Sequence, residues 1–462
     1  MGAPTNNYAR KTDYTNSTSL DGLLKNVYLP TLLDTTYNDW RFTEMIGMDT
    51  IEGGGNNITH FALTQNAGMQ GAIAEGGDWM ENVPLKGKQL QENTVLLNMY
   101  FALSGTAIAS ANNMNKGVIN AVTKSFETCT IGWKNNFNRM LLGDKSGSLG
   151  YVSSVSGNDI TVTKTGWKLA PFNADQFLPV GKRVNIATFD SSGVATSGFC
   201  NSNASDSFDF QISGHTSQDV ANGTAVITIT DENGNDYAAA GTQDVAAGDH
   251  FLTDGAYGVT ESTSAALYSA NLEMNGLMNL VSDGTNNSET SSNYTTNWGQ
   301  TRTAAGFEYL QSYMANINAE LDEENLLTQI MRFKISRQTR PNLLMVTPGA
   351  ELKYFNNLKD DRRFNGLNKV LEGGFTKTYI TLGEQRLMVT SLESCPSGTM
   401  FMLNTNDFRF VQNRPLQWVL GDGGQVLVQS HTADQKFASA LQEVNFVCMD
   451  PHRQFKGYNV TE

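Results

Sequence analysis

The clearest pattern of apolar and polar residues in this chain lies between residues 112 and 142. Apolar side chains recur there every three or four residues, which is the period of one face of an α-helix. The recurring residues are Val118, Val122, Phe126, Cys129, Trp133, Phe137 and Met140. At 1.5 Å per residue the pattern predicts a helix of about 45 Å, and a stripe of that length needs a covering surface.

Two strand patterns flank a glycine-rich segment closer to the N-terminus. Residues 56–65 carry Ile58, Phe61 and Leu63, and residues 94–103 form the second strand pattern. We predict that these two strands are the legs of a long hairpin. Because a two-stranded ribbon is marginal in water, the apolar residues at its tip are expected to lie on a partner. These residues are Met69, Ile73, Trp79 and Met80.

Short apolar runs separated by turn residues follow between residues 148 and 270. This even spacing is typical of a small β-barrel or sandwich. The predicted strands are residues 151–155, 159–162, 184–187, 208–212 and 225–230.

The C-terminal part alternates between helical and strand patterns. Residues 303–337 are predicted to form two helices, and a strand at 342–346 precedes a third helix that begins at Pro348. Further strands are predicted up to residue 448, and helices on such a sheet indicate an α+β domain. The first helix rests on a three-and-four spacing of Phe307, Leu310, Met314, Ile317 and Leu321.

Charge is unevenly distributed along the chain. The net charge is −14, and between Val184 and Thr301 there are fourteen acidic residues with no Lys or Arg. The remaining chain is formally neutral. Because a strong net charge keeps surfaces apart and repels nucleic acid, we expect the acidic module to face solvent.

The sequence has few candidate catalytic or metal-binding groups. The five histidines are scattered, and HExxH, a Walker loop and a Gly-x-Ser-x-Gly elbow are all absent. Four distant cysteines are expected to be free and mostly buried. No secretory signal or membrane span is predicted. We therefore expect no enzyme, no metal, no cofactor and no membrane partner.

One basic group has two open interpretations beside a simple solvated helix face. Its cations either contact phosphates or meet acids on a neighbouring subunit. The group consists of Arg332, Lys334, Arg337 and Arg340, with Arg362 and Arg363 nearby.

The order of these segments resembles the major capsid proteins of tailed bacteriophages, which have the Hong Kong 97-type shell fold. Residues 343–350, 382–389 and 403–408 are similar to parts of that family's axial domain. The resemblance implies an α+β fold with an N-terminal arm, an extended β-hairpin loop, a peripheral domain with a long spine helix, and an axial domain. A small all-β domain is inserted into this pattern.

The resemblance implies the following domain boundaries. The arm is residues 1–54, the extended loop 55–103, and the peripheral domain with the spine helix 104–147. The inserted acidic domain on the outer surface is residues 148–270. The linker and axial domain are residues 271–430, and 431–462 return to the peripheral domain. The spine-helix core is then Val118, Val122, Phe126, Trp133 and Phe137.

The implied function is a shell subunit of the virion that assembles in the host cytoplasm. Copies of the chain would form hexamers and pentamers of an icosahedral capsid, with packaged DNA bound non-specifically on the inner face. Portal, scaffold and decoration proteins are the other expected partners. Two alternatives stay open: a nanocompartment shell of the same fold, and a β-rich surface-binding protein.

Overall fold

In the computed structural model the chain divides into two compact units. The first unit comprises Met1–Asn56, Thr94–Phe137 and Phe410–Asn445, and the second Asn57–Asn93, Asn138–Arg409 and Phe446–Glu462. The described residues are 46–50, 57–65, 72, 75, 77, 84, 86–104, 117–163, 174–189, 195–200, 210–216, 224–231, 245–253, 257–258, 269–271, 273–285, 292–357, 378–382, 385–392, 395–421, 424, 426–429 and 434–461.

The described chain up to residue 142 contains strands followed by one long helix. The strands are β1 (Gly47–Thr50), β2 (Asn57–Gln65), β3 (Lys86–Asn93) and β4 (Val95–Ser104), and the helix is α1 (Gly117–Leu142).

Short strands dominate from residue 148 to residue 271. They are β5 (Ser148–Ser156), β6 (Asp159–Thr163), β7 (Arg183–Phe189), β8 (Ala195–Phe199), β9 (Phe210–His215), β10 (Thr224–Asp231), β11 (Asp249–Thr253), β12 (Tyr257–Gly258) and β13 (Ser269–Asn271), with the one-turn helix α2 (Ala174–Phe177) after β6.

Helices and strands alternate in the remaining chain. The helices are α3 (Leu277–Leu280), α4 (Ser292–Thr295), α5 (Glu323–Arg337) and α6 (Pro348–Asn357). The strands are β14 (Thr296–Asn297), β15 (Gln300–Thr301), β16 (Tyr313–Glu320), β17 (Leu343–Val346), β18 (Thr378–Leu382), β19 (Gln385–Ser391), β20 (Thr399–Leu403), β21 (Phe408–Trp418), β22 (Val428–Gln429), β23 (Gln435–Cys448) and β24 (Phe455–Thr461).

The first unit is built on a five-stranded sheet beside α1. The strand order is β1-β21-β23-β22, and β4 also pairs with β23. Phe137 of α1 packs on Phe410 of β21, with ring centroids 5.9 Å apart. Phe101 of β4 meets Trp418 of β21 edge to face at 6.1 Å. These aromatic contacts bury one face of the sheet.

The second unit contains a closed β-barrel. Among the described strands the order is β11-β5-β6-β10-β9-β7, and the pairing of β11 with β7 closes the ring, while β8 lies on the outer side of β7. The strands fill the interior by alternation, because successive side chains point to opposite faces. In β10, for example, Ala225, Ile227 and Ile229 are buried while Val226 and Thr228 are partly exposed.

The second unit also contains a six-stranded mixed sheet. Its order is β16-β24-β20-β17-β19-β18, with β16 parallel to β24 and β17 parallel to β19. Residues from α5 and α6 form one core with this sheet. The buried members include Leu326, Ile330, Phe333, Ala350 and Tyr354 of the helices and Leu344, Val346, Leu387, Met400, Met402 and Phe455 of the strands. The observed fold is therefore α+β, and the all-β barrel follows α1 and precedes the mixed sheet along the chain.

Local capping explains where α5 and α6 begin. The Asp322 carboxylate accepts a hydrogen bond from the backbone N–H of Asn325 at 2.6 Å. The Thr347 hydroxyl likewise accepts one from the N–H of Ala350 at 3.3 Å, with Pro348 at the first helical position. Both side chains satisfy donors that a helix start leaves unpaired.

Two predictions about secondary structure were wrong. Residues 308–320 are not a helix but a 3-10 turn followed by β16, because pairing with β24 overrides the three-and-four spacing of the apolar residues. The second predicted leg, 94–103, does not pair with the first. The strand β2 pairs with β3, whereas β4 pairs with β23 over ten residues.

The segment predicted as a single return, residues 431–462, is divided by the structure. Its first part, up to Asn445, lies in the first unit through β23. Its last strand, β24, pairs with β16 and β20 inside the mixed sheet of the second unit. Residues 408–418 form one continuous strand, β21.

Candidate functional site

One face of the ribbon formed by β2 and β3 contacts other residues of the second unit. The His60 ring lies 5.6 Å from the Trp298 ring, and Lys88 Nζ lies 3.7 Å from the centre of the Phe307 ring. A third contact is the ion pair of Lys145 with Glu92 at 3.2 Å. The base of the ribbon is therefore anchored to the rest of the second unit rather than free.

The opposite face of the ribbon carries a large exposed apolar side chain. Phe61 is 61% exposed and lies over Gly87 on the paired strand, where a Cβ would come within 2.2 Å of the ring. Only a residue without a side chain leaves room for the Phe61 ring in this position. The predicted tip residues Met69, Ile73, Trp79 and Met80 lie outside the described residues.

The edge strand of the first unit exposes apolar side chains as well. Leu96 is 60% and Tyr100 is 48% exposed on β4, and the Tyr100 ring lies 5.9 Å from the Phe437 ring of β23. Glu443, which lies opposite Leu96 in the register of the two strands, accepts hydrogen bonds from Thr94 (2.7 Å) and Asn413 (2.9 Å). The carboxylate on this mostly apolar face is thus already bonded within its own unit.

Two of the five predicted spine-helix core residues have described side chains. Trp133 is 6% exposed and Phe137 is fully buried. The side chains of Val118, Val122 and Phe126 lie outside the described part, although their backbone belongs to α1.

A cluster of buried polar groups joins the end of α1 to the barrel. Arg139 of α1 donates hydrogen bonds to the Glu273 carboxylate and, at 3.2 Å, to the Thr253 hydroxyl of β11. Arg139 and Glu273 are both buried. We call this set, together with Lys182 and Asp144, the barrel junction. Because burying an unpaired charge is costly, the pairing of these groups holds the last turn of α1, which belongs to the second unit, against the barrel.

Burial shifts the proton affinities at the barrel junction. The pKa of Lys182 is lowered to about 7, first by burial and then by the nearby Arg139 charge, while Glu273 opposes the shift. The Lys182 ammonium donates a hydrogen bond to the carbonyl oxygen of Phe177 at 2.6 Å. Burial also raises the pKa of Asp144, against hydrogen bonds from Ser146 that lower it.

A buried histidine lies beside this junction on β11. His250 Nδ1 is 3.0 Å from the Ser148 hydroxyl, and the Tyr151 ring meets the imidazole edge to face at 5.3 Å. Burial lowers the pKa of His250 to about 3, so the ring is neutral at ordinary pH. A neutral imidazole avoids the cost of a buried charge.

The expectation that the acidic stretch faces solvent is wrong for most of its described members. Asp231, Asp249 and Glu273 are all buried, and only Asp283 is partly exposed. Asp249 accepts hydrogen bonds from the N–H of Ala246 and from the Cys200 thiol at 2.6 and 3.5 Å. These described carboxylates serve turns and pairs inside the fold.

The described residues contain no group of three or more His, Cys, Asp or Glu side chains that could hold a metal ion. No helix in the described part is long and apolar enough to cross a membrane. The cysteines are free: Cys200, Cys395 and Cys448 are buried and Cys129 is partly exposed.

The predicted basic group is split by the structure. Arg332, Lys334 and Arg340 are exposed on or just after α5, whereas Arg337 lies with Nη1 2.5 Å from His452 Nδ1. Arg362 and Arg363 lie outside the described residues. Arg332 and Lys334 therefore belong to the surface of α5, and Arg340 lies three residues beyond its end.

Arg139, Lys182 and the role of Glu273 were not predicted from the sequence. Arg139 lies between two apolar positions of the helix stripe, and Glu273 lies in the mostly apolar segment 270–281. A charged residue inside an apolar pattern is a usable signal for a buried ion pair. Nothing in the sequence indicates that these two residues, 134 positions apart, are partners.

Comparison with known proteins returned solved structures only. No family model matches the chain, and no curated protein matches its sequence. The chain is similar to solved phage capsid structures. For the cyanophage A-1(L) capsid the TM-score is 0.45 and the identity 9%, over 100% of this chain and 98% of that chain. For the capsid of Myoviridae phage XM1 the TM-score is 0.38 and the identity 7%, over 90% of each chain.

A similar structure of another class is an encapsulin of Synechococcus elongatus, with a TM-score of 0.21, 10% identity, and coverage of 32% of this chain and 52% of that chain.

A pH test of the barrel junction uses Lys182→Met. Because the pKa of Lys182 is lowered in the folded state, the unfolded chain binds more protons from about pH 7 up to the ordinary lysine pKa of 10.5. The cost of burying Lys182 is therefore complete below that window and disappears as pH rises through it. Lys182→Met is expected to be more stable than wild type at about pH 6 by about 1–3 kcal/mol.

The Lys182→Met advantage is expected to shrink toward zero near the upper end of the window. Thermal melting of the unassembled chain across this pH range measures the difference. Lys353→Met removes an exposed ammonium paired with Glu320 and serves as the control, with an expected effect below about 1 kcal/mol. A Lys182→Met advantage that stays constant with pH contradicts the prediction.

Proposed function

We propose that this chain is the major capsid protein of a tailed bacteriophage and forms an icosahedral shell around double-stranded DNA. The observation that carries the proposal is the set of apolar side chains exposed on the ribbon and on the strand that follows it: Phe61, Leu96 and Tyr100. Large apolar side chains that share an exposed face, as Leu96 and Tyr100 do on β4, mark interaction sites. A shell subunit meets copies of itself over its whole rim, which accounts for surfaces of this kind.

The order of segments supports the same function. A ribbon leads into an edge strand, then into the helix α1 of 26 residues, then through an inserted barrel into an α/β sheet. The chain returns to the first sheet through β23. This is the order that the resemblance to tailed-phage capsid proteins implies. In this assignment the ribbon is the extended loop, the first unit is the peripheral domain, and the mixed sheet is the axial domain.

The mechanism of assembly is repeated burial of surface between copies. We infer that the tip residues Met69, Ile73, Trp79 and Met80 lie on a neighbouring subunit while the base of the ribbon stays on its own second unit. A stable interface buries about 1,600 Å² in total, and a ribbon together with an arm is expected to exceed that. We further propose that the copies form hexamers and pentamers and that packaged DNA lies on the inner face of the shell. The other proposed partners are portal, scaffold and decoration proteins.

Trp79→Glu is expected to abolish shell formation without unfolding the subunit. The introduced carboxylate would lose its water at the subunit contact without gaining a partner. This loss costs several kcal/mol per contact, and the cost recurs in every copy of the subunit. Electron microscopy of the purified protein, with circular dichroism of the subunit, measures both properties.

Trp79→Phe keeps an aromatic side chain and is expected to form closed shells like wild type. Normal shells from Trp79→Glu contradict the assignment of the ribbon tip. A wild-type product that stays a single molecule at high concentration contradicts the shell function itself. The contents of the shells separate the alternatives, since DNA supports a capsid and packaged protein supports a nanocompartment.

A further inference from the structure

The helix α5 is apolar on two sides, and among the described residues only one of these sides is covered by its own chain. Leu326, Ile330 and Phe333 are buried in the core under the mixed sheet. A second stripe at four-residue spacing consists of Leu327, Met331 and Ile335. Met331 is 50% and Ile335 is 76% exposed. A helix that only packs on one sheet has no need for this second stripe.

Cations flank the second stripe. Arg332 and Lys334 are exposed, and neither has an ion pair or a side-chain hydrogen bond among the described residues. The acids of α5, Glu323 and Glu324, lie in its first turn, at the opposite end. The surface around Met331 and Ile335 is therefore both apolar and positively charged.

The helix dipole explains only part of this arrangement. A cation in the last turn of a helix gains about 0.3–1 kcal/mol, which accounts for Lys334 and Arg337. It does not account for Arg332, which precedes the last turn, or for the exposed Ile335. The neighbouring helix α6 packs into the same core and exposes Leu352 by 62%, so the outer side of this helical layer has further apolar surface.

We propose that the outer face of α5, formed by Leu327, Met331, Arg332, Lys334 and Ile335, docks an acidic amphipathic helix of another polypeptide. The apolar stripe of such a partner buries Met331 and Ile335, and its flanking Glu or Asp side chains pair with Arg332 and Lys334. Nucleic acid fits less well. Phosphates would use the two cations but would leave the apolar side chains in water. This inference does not depend on the shell function.

The test uses the full chain in its unassembled form and three probes. The first is a synthetic helix of about three heptads with Leu at the seam positions and Glu at the flanking ones. The second replaces every Glu by Lys, and the third is a duplex DNA oligonucleotide. Fluorescence anisotropy measures binding at low and high salt. We expect the acidic helix to bind, the basic helix to bind at least about tenfold more weakly, and DNA binding to be weaker than that of the acidic helix.

Variants assign the binding to α5. Ile335→Gln is expected to weaken binding of the acidic helix by about tenfold. Val180→Gln removes an apolar side chain that is 60% exposed beside the barrel, and it is expected to leave this binding unchanged. Arg332→Gln with Lys334→Gln is expected to remove most of the salt dependence. Lys86→Gln, at an exposed position of the ribbon, is the matched control for charge. Circular dichroism verifies that each variant is folded.

Several results overturn the proposal. No binding of the acidic helix means that the face is not a docking surface for it. Equal binding of the acidic and basic helices means that the cations do not select the partner. Tighter binding of DNA that is lost in the Arg332→Gln, Lys334→Gln variant assigns the face to nucleic acid instead. Unchanged binding in Ile335→Gln means that the helix binds elsewhere.

Discussion

Arg302→Ala is expected to destabilise the second unit by about 3–5 kcal/mol. The side chain is fully buried. Its Nη1 donates hydrogen bonds to the carbonyl oxygens of Leu280, Ser282 and Leu310 at 3.3, 3.1 and 2.8 Å, and its Nη2 donates to that of Asn279. Alanine leaves these buried carbonyl oxygens without their donor and also creates a cavity. Each effect is costly in a closed interior.

Hydrogen exchange of the unassembled chain measures this loss locally. Peptides that cover residues 277–312 are expected to lose protection, which avoids assuming a two-state transition for a chain of two units. Arg302→Lys is expected to recover only part of the loss, because a single ammonium cannot reach carbonyl oxygens on several sides. Arg332→Ala, at an exposed position, is expected to change stability by less than about 0.5 kcal/mol. Equal exchange in Arg302→Ala and Arg332→Ala contradicts the proposed role.

The strongest periodic patterns were sufficient to predict several elements. The stripe of α1 predicted a long helix, because a buried face forces its period on the sequence. The evenly spaced apolar runs at β5, β6, β7, β9 and β10 predicted a small barrel or sandwich, and only the structure decides for the barrel. The cap at Thr347 and Pro348 likewise predicted the start of α6. These signals are local, so they can be read without knowing the partner surface.

Elements whose residues depend on distant partners could not be predicted. The strand β3, with the sequence KGKQLQEN, has one buried side chain, Leu90, and therefore shows no alternation. In β16, the spacing of Phe307, Leu310, Met314 and Ile317 fits a helix, and only the ladder to β24, more than a hundred residues later, decides for a strand. Local propensity is a weak guide where a sheet neighbour supplies the hydrogen bonds.

The candidate site shows the same limit. Charge counting found an acidic stretch but could not tell a solvated carboxylate from Glu273, which is buried against Arg139. A ribbon was predicted from two strand patterns, but its second strand is β3 rather than residues 94–103. The contacts of its base with Trp298 and Phe307 come from a part of the chain more than two hundred positions away. The partners of Glu273 and of the ribbon base are determined by tertiary packing, which local sequence patterns do not contain.

Gly276→Ala is expected to disrupt the barrel junction and to destabilise the second unit by about 3 kcal/mol or more. A Cβ at residue 276 would lie 2.3 Å from the carbonyl oxygen of Gly143 and 2.4 Å from that of Met140. These contacts are with the backbone at the end of α1, which cannot rotate away as a side chain can. The segment must therefore shift, and Glu273, three residues earlier, shifts away from Arg139.

Gly132→Ala on the same helix α1 is the matched control. No atom lies within 4 Å of a Cβ at that exposed position, so alanine is expected to stabilise the helix by about 0.5–1 kcal/mol. The same substitution thus has opposite expected signs at two sites, which thermal melting and hydrogen exchange of residues 138–147 and 273–282 can resolve. If Gly276→Ala melts at or above the wild-type temperature, the close approach between residue 276 and the end of α1 does not hold the junction together.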